Sequence, residues 1–202
     1  MLDGLKHALK IKEFWYYLII TFVGMGIFNG VTTWVEGIIR PRGFTPADAG
    51  TLGALMLVGG VLGAVVIPPF SDRQHRRQRY ILLGFVLAIP GLIGLTFAGS
   101  LWFLFVSAFS LGFFLVSVNP VGMQYSAEIT QPTPEGTSNG LIQLFGQASV
   151  VFVYIMGALR SPDGSFTPGL LLVAGMMVLS IFLILRMKDP NWQKLGGVPT
   201  KS

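Results

Sequence analysis

The stretch "FSDRQHRRQR", residues 70–79, gathers four arginines, a histidine and an aspartate within an otherwise apolar part of the chain. Residues 49–71 before it and residues 80–125 after it contain no charged side chain. A helix needs about 20 predominantly apolar residues to cross the hydrocarbon core of a bilayer. The stretch therefore indicates a polar loop between membrane-spanning helices, and its flanks indicate a membrane fold.

The composition of the whole chain agrees with this interpretation. Of its 202 residues, 52% are hydrophobic and 11% are charged, whereas a soluble domain carries about 25% charged residues. The net charge of +5 would suit nucleic acid only on a folded polar surface, and this sequence has little such surface. We therefore expect a lipid bilayer and no nucleic acid as its surroundings. Cysteine is absent, which excludes disulfides and thiolate metal sites.

The uncharged segments divide into six predicted helices. Residues 80–125 are long enough for two spans joined by a tight turn at 98–100, and strand-type alternation is absent. We predict an all-α, polytopic membrane protein with a single six-helix domain over residues 1–202. The expected spans lie at about 14–38, 49–70, 80–97, 101–125, 136–159 and 167–186.

Six spans place both ends of the chain on one side of the membrane. With this topology, eleven lysines and arginines fall on the side of the arginine-rich loop and three on the other. Because cytoplasmic loops carry the excess of Lys and Arg, we expect a cell-membrane protein with both termini cytoplasmic. The eleven are Lys6, Lys10, Lys12, Arg73, Arg76, Arg77, Arg79, Arg186, Lys188, Lys194 and Lys201, and the three are Arg40, Arg42 and Arg160. Fixing this topology is one sufficient role for the loop.

The loop also resembles a known motif. Residues 72–77 resemble the D-R-x-G-R-R core of the major facilitator signature, with His75 in place of the glycine. A second stretch, "GMQYSAEITQPTPEGTSNGLIQLFGQ" at residues 122–147, resembles the feline leukaemia virus subgroup C receptor-related family of facilitator transporters, and so does "GIFNGVTT" at residues 26–33. The resemblance covers residues 14–187 and implies the C-terminal six-helix half of a major facilitator fold. Members of this family are associated with choline, ethanolamine or haem-related transport.

The resemblance implies a conformational latch at the cytoplasmic side. Its residues are Asp72, Arg73, Arg76, Arg77 and Glu128. Asp72 would face the N-terminus of the fifth span at residues 135–137, where unpaired amides favour an anion, and Glu128 would pair with Arg73 or Arg76. The alternative is a set of solvated ion pairs, each worth under about 1 kcal/mol.

Polar side chains inside the spans are the candidates for a substrate pathway, because polar groups are costly in the membrane. The predicted set is Asn29, Thr33, Asn119, Gln143 and Gln147. Gln147 lies near mid-depth of its span and, by the resemblance, matches a substrate-contacting glutamine. The alternative role for Gln147 is a hydrogen bond between helices, worth about 0.6 kcal/mol on average.

Two residues of the first span bear on the choice of substrate. Choline-handling members place an aromatic residue, which can hold quaternary ammonium, at the position of Asn29. Trp34, one turn further along, is the alternative aromatic residue for this role, but it is expected at the lipid interface. The sequence therefore argues against choline. Glu36 is expected to pair with Arg40 one turn later at the outer surface, with cation binding as the alternative.

These observations predict transport of a small-molecule substrate by alternating access. A six-helix half needs a second half to enclose a pathway, either an N-terminal half or a second copy of the chain in a homodimer. The alternative is a non-transporting six-helix membrane scaffold or assembly protein. His7 and His75 both lie in basic polar segments, and the sequence has no His/Cys metal-binding motif. We therefore expect no catalytic residue, no metal and no cofactor, and a protein that is not an enzyme.

Overall fold

The computed structural model of the protein describes residues 2–190, and these form a helical bundle. In chain order the helices are α1 (Leu2–Ala8), α2 (Lys12–Ile39), α3 (Pro46–Gln74), α4 (Arg77–Phe97), α5 (Leu101–Ile129), α6 (Glu135–Ala148), α7 (Val151–Ala158) and α8 (Thr167–Arg186). A single 3₁₀ turn, Arg40–Arg42, follows α2. Six segments are long and apolar enough to cross a membrane, with α6 and α7 together forming the fifth. The prediction of six transmembrane helices in an all-α fold is confirmed.

The ends of α3 follow directly from its sequence. Thr45 caps its N-terminus, since the Thr45 hydroxyl accepts from the amide of Asp48 at 3.2 Å and the Asp48 carboxylate accepts from the amide of Thr45 at 2.8 Å. Pro46 occupies the first turn, where its missing N–H costs nothing. The helix ends at His75, which adopts the left-handed conformation with φ 52° and ψ 34°. His75 thus stands in the backbone conformation that glycine adopts most easily, at the glycine position of the facilitator signature.

The close packing of α3 against α5 depends on glycines. A methyl group on Gly63 would overlap the carbonyl oxygen of Phe113, and one on Gly112 would overlap that of Met56. The backbones therefore approach each other more closely than any larger side chain would allow. Close approach through small residues is the usual way in which helices gain contact area in lipid.

The fifth span is interrupted near its middle, which the prediction of one continuous helix over residues 136–159 did not include. At the junction of α6 and α7 the amides of Ser149 and Val150 bond to the carbonyls of Gly146 and Gln147, three residues earlier, both at 3.2 Å. The Ser149 hydroxyl also donates to the Gly146 carbonyl at 2.5 Å. A serine hydroxyl that bonds back to the preceding turn competes with the helical ladder and bends the helix. This 3₁₀ junction is characteristic of a hinge.

Both terminal regions meet the arginine-rich loop at one end of the bundle, here called the basic end. The short helix α1, which was not predicted, lies against the α5–α6 connection, where the Thr133 hydroxyl donates to the Gly4 carbonyl at 3.1 Å. After α8, Asp189 reaches the first turn of α4. This arrangement is the one expected for six spans. Residues 1 and 191–202, which include Lys194 and Lys201 of the charge count, lie outside the described residues.

Candidate functional site

A buried ion pair occupies the basic end of the bundle. The Arg77 guanidinium donates through Nη2 to Glu128 Oε1 at 2.8 Å and through Nε to both Glu128 oxygens at 3.3 Å. Only 3% of Arg77 and 7% of Glu128 are exposed. The pair joins the start of α4 to the end of α5. A two-point contact of this kind fixes the orientation of both side chains.

Neighbouring polar groups complete this cluster. Arg77 also donates to the Ser71 hydroxyl at 3.2 Å and to the Asp72 carboxylate, and Gln124 donates to Glu128 at 3.1 Å. The side chain of Asp72 is 58% exposed. Asp72 therefore links a buried network to the surface.

The structure corrects the expected partner of Glu128. Arg73 and Arg76 are both exposed, whereas Arg77 turns inward from the first position of α4, directly after the left-handed turn at His75. Glu128 consequently pairs with Arg77 instead of Arg73 or Arg76. Asp72 also bonds to Arg77, and its expected contact with the start of α6 stays a prediction.

The segment after α8 adds a component that the sequence did not reveal. The Asp189 carboxylate accepts from the amide of Gln78 in the first turn of α4 at 2.8 Å. Tyr125, which is fully buried, donates its hydroxyl to the Lys188 carbonyl at 3.0 Å. Arg76, the residue that precedes α4, makes no side-chain hydrogen bond to the start of that helix. Asp189 therefore supplies the cap for α4 from a distant part of the chain.

Inside the bundle, two of the predicted pathway residues come together. Asn29 of α2 and Asn119 of α5 line the same cavity of about 200 Å³ between α2, α4 and α5. Phe85 of α4 forms part of its wall. The prediction that these asparagines lie in a common pathway stays a prediction, but they do share one space.

The cavity also contains polar groups that the sequence did not indicate. Tyr17 and Thr21 line it, and the Tyr17 hydroxyl is directed at the carbonyls of Val118 and Asn119, at 3.5 and 3.4 Å. Thr21 Oγ1, which lies beside the Tyr17 hydroxyl, and Asn119 Oδ1 are buried and make no hydrogen bond of ordinary geometry among the described residues. The signal that would have found Thr21 is its position about two turns before Asn29, and Tyr17 lies one further turn before Thr21.

The two glutamines of the predicted pathway lie elsewhere. Gly136, Gly140, Gln143 and Gln147 follow one another at spacings of four, three and four residues and are all exposed on α6. We call this row the α6 stripe. Among the described residues, no atom of a neighbouring element lies within 4 Å of a methyl group placed on Gly136 or Gly140. The stripe therefore presents small and polar groups on a surface that the described part of the chain leaves open.

The other polar residues of α2 divide between surface and packing. Thr33 is exposed, and Glu36 lies 4.0 Å from Arg40 in a surface ion pair, which agrees with the expected pairing. Trp34 is half-buried and donates to the Val153 carbonyl of α7 at 2.8 Å, which gives its indole N–H the acceptor that it needs. Its expected place at the lipid interface stays a prediction.

Comparison with known proteins now identifies the family. The sequence profile of the Major Facilitator Superfamily matches residues 16–199. The chain belongs to this superfamily. It is 28% identical over 184 residues to the choline/ethanolamine transporter flvcr2b of Danio rerio and 28% identical over 174 residues to the choline/ethanolamine transporter FLVCR2 of Homo sapiens. The resemblance to the feline leukaemia virus subgroup C receptor-related family is confirmed.

The extent of these matches differs between relatives. An uncharacterized protein of Archaeoglobus fulgidus is 32% identical over 183 residues, which is 90% of this chain and 82% of that protein. The zebrafish match covers 88% of this chain but 38% of the transporter, and the human match covers 83% and 32%. The facilitator chain therefore spans about a third of the length of its named transporter relatives. Its six helices form one half of a major facilitator fold in a multi-pass membrane protein.

Proposed function

We propose that this chain is the C-terminal half of a facilitator-type secondary transporter, which moves a small solute across the cell membrane by alternating access. Both termini then lie in the cytoplasm, because the basic end of the bundle carries the arginine-rich loop. No enzymatic step is part of this function. Family membership and the named transporter relatives support transport of a small solute.

The α6 stripe is the observation that carries the proposal of a half. Gln143 and Gln147 are exposed on a helix that is apolar enough to span the membrane. A glutamine amide has two donors and an acceptor, none of which lipid can satisfy. The stripe must therefore face another protein surface or a water-filled path. In a facilitator, the interface where the two halves meet around the substrate provides both a facing protein surface and a water-filled path.

A cross-linking experiment tests whether the stripe faces a second half. The chain contains no cysteine, so single cysteines can be introduced without a background. Gly140→Cys places a thiol on the stripe, and Leu171→Cys places one on the exposed surface of α8 as the matched control. We expect cross-links in membranes from Gly140→Cys and none from Leu171→Cys. Dimers of the chain alone would identify a second copy as the partner half.

An uptake experiment tests the transport function itself. This chain would replace the matching region of the zebrafish transporter, whose name specifies choline and ethanolamine. Vesicles that contain the fusion, or the cross-linked dimer, would be assayed for uptake of both solutes and of a wider panel. Uptake by either assembly supports the proposal. An inserted, folded protein that neither cross-links through Gly140→Cys nor transports any solute would contradict it and would favour a scaffold.

We also propose that Asp72 latches the basic end when the transporter is closed there. Its carboxylate is exposed, while its partner Arg77 is held by Glu128. The charge of Asp72 is thus available to a helix N-terminus that closes over it. We expect Asp72→Asn to favour the inward-open state while the protein remains inserted. Distances from a label on Gln74→Cys to the basic end of the second half would measure this shift, and unchanged distances would reduce Asp72 to a surface ion pair.

A further inference from the structure

We propose that the cavity between α2, α4 and α5 is a binding subsite for a small solute that presents N–H or O–H donors, with Thr21 and Asn119 as its acceptors. The inference rests on the proposed function because it names the chemistry of the substrate. It concerns residues that none of the sequence motifs indicated, apart from Asn119. The binding step itself can be tested on this chain alone, because α2, α4 and α5 all belong to it.

The acceptors are the first support. Thr21 is 7% exposed, and its hydroxyl lies beside that of Tyr17. In the described part of the chain neither the Thr21 hydroxyl oxygen nor Asn119 Oδ1 makes a hydrogen bond of ordinary geometry, although both are buried. Buried polar groups are nearly always hydrogen-bonded, so two such oxygens on one cavity require an explanation. Donor groups of a bound solute would supply the missing hydrogen bonds.

The walls of the cavity are the second support, because they define the rest of the ligand. The cavity measures about 200 Å³, and its lining combines aromatic rings, among them Phe28 and Phe85, with aliphatic side chains. None of the described residues that line it is ionised, since its polar members are Tyr17, Thr21, Asn29 and Asn119. A carboxylate would lose its hydration without gaining a cation, whereas an ammonium would meet aromatic rings, which attract a cation. The site therefore suits a compact solute with a donor-bearing end, either a neutral diol or an ammonium with N–H groups.

The position of the cavity is the third support. A methyl group on Gly146 of α6 would lie 3.8 Å from the Thr21 side chain and 3.5 Å from that of Met25, another residue of the lining. Gly146 directly precedes Gln147 and lies beside the α6–α7 junction. The subsite is thus next to the helix that carries the exposed stripe and the 3₁₀ hinge. A solute held by Thr21 and Asn119 would be separated from that junction by the side chains of Thr21 and Met25.

Four probes separate donor chemistry from charge. Ethanolamine and 1,2-ethanediol carry donors, as a cation and as a neutral molecule. Tetramethylammonium matches ethanolamine in charge and approximate size, and dimethyl sulfone matches 1,2-ethanediol in the same way. Neither of these two control probes carries a donor. Each would be titrated against the purified full chain by saturation-transfer NMR. We expect one or both donor probes to bind at least about fivefold more tightly than the charge-matched probe, the effect of a single hydrogen bond. The donor probe that binds more tightly, ethanolamine or 1,2-ethanediol, shows whether the solute is an ammonium or neutral.

Variants assign the binding to the cavity. Thr21→Val keeps the shape of the side chain and removes the hydroxyl, and Asn119→Ala removes the amide without filling the space. Thr32→Val is the matched control, because the Thr32 hydroxyl on the same helix already bonds to the Phe28 carbonyl at 2.7 Å and lies outside the cavity lining. We expect Thr21→Val and Asn119→Ala to weaken donor-probe binding about fivefold and Thr32→Val to leave it unchanged.

The stability of the empty chain provides a second readout that does not depend on transport. Because Thr21→Val removes an unsatisfied buried oxygen, it should preserve or raise Tm while it weakens binding. A fall in Tm with unchanged probe binding would show a structural hydroxyl and overturn the proposal. Equal binding of all four probes, tighter binding of dimethyl sulfone, or binding of none would also overturn it. Failure of uptake by the assembled transporter, with donor-selective binding retained, would instead count against the proposed transport function alone.

Discussion

The Arg77–Glu128 pair shows how one buried interaction can hold the end of a membrane bundle. Both residues are almost fully buried, and Glu128 depends on Arg77 for its counter-charge, whereas Arg77 also pairs with Asp72. Loss of Arg77 therefore leaves an uncompensated buried charge, which costs about 3–5 kcal/mol. Replacement of both partners by uncharged residues of similar size costs much less, because no charge remains to be solvated.

The first prediction follows from this asymmetry. Arg77→Met should lower the free energy of unfolding by about 3 kcal/mol or more, because it leaves the Glu128 charge buried and unpaired. Glu128→Gln should lower it by less, because Asp72 still pairs with Arg77, and the double variant should recover a large part of the Arg77→Met loss. Denaturant unfolding of the purified chain in detergent would measure the three values. Asp72→Asn serves as the control and should have a small effect, because its side chain is 58% exposed. Additive losses in the double variant would show that the two charges are not coupled.

The second prediction concerns the backbone at His75. Residues other than glycine pay about 1–2 kcal/mol for the left-handed conformation, and β-branched residues tolerate it least. His75→Gly should therefore be at least about 1 kcal/mol more stable than His75→Val. Both variants lose whatever the imidazole contributes, so their difference reports the backbone alone. Equal melting temperatures for the two variants would show that the turn does not require φ 52°.

At the scale of helices, packing depends on where a small residue lies and not on its presence alone. Gly63 and Gly53 both lie in α3, but Gly63 meets the backbone of α5 whereas a methyl group on Gly53 would meet nothing within 4 Å. Gly63→Ala should destabilise the bundle by about 1–3 kcal/mol or more, because a rigid backbone must move. Gly53→Ala should stabilise it by up to about 1 kcal/mol through helix propensity. Melting temperatures would compare them, and similar values would contradict the close approach of α3 and α5.

The helices also show what sequence patterns can and cannot predict. The six spans were predictable because membrane-spanning segments must be continuous, apolar and of fixed length. The interruption at Ser149 was not, because it depends on a local hydrogen bond to Gly146 that a hydropathy pattern does not record. Helix α1 and the cap from Asp189 were missed for a related reason, since each is defined by contacts with a distant part of the chain.

The candidate site also contains some residues that sequence patterns can select and others that they cannot. Asn29 and Asn119 could be selected from the sequence because polar residues stand out in apolar spans, and they do line one cavity. Thr21 does not stand out in the sequence because threonine is common in membrane helices, and only its surroundings show that its hydroxyl makes no hydrogen bond of ordinary geometry among the described residues. The inward position of Arg77, among four arginines of the same loop, likewise depends on the turn geometry at His75.

At the scale of the whole molecule, the structure contains two different kinds of intramembrane polar surface. Asn29 and Asn119 line a cavity enclosed by helices of this chain, whereas Gln143 and Gln147 lie on the open α6 stripe. The cavity is lined by this chain alone, whereas under the proposed function the stripe acquires its environment only when a second half is present. The two surfaces should therefore respond differently to assembly.

Gln147 provides the last prediction, because its role depends on that assembly. In the isolated chain its side chain is exposed, and exposed substitutions usually change stability by within about 0.5 kcal/mol. Gln147→Leu should therefore leave the melting temperature of the isolated chain in detergent unchanged. In the assembled, active transporter the same variant should still fold, because leucine suits a bilayer. If the Gln147 amide hydrogen-bonds the solute, the variant should lose ligand affinity at least about tenfold. Melting temperature and affinity would be measured on the same preparation, with Leu144→Met on the same exposed part of α6 as the control. Lost stability with retained affinity in the assembled protein would make Gln147 a link between the halves and remove it from the substrate pathway.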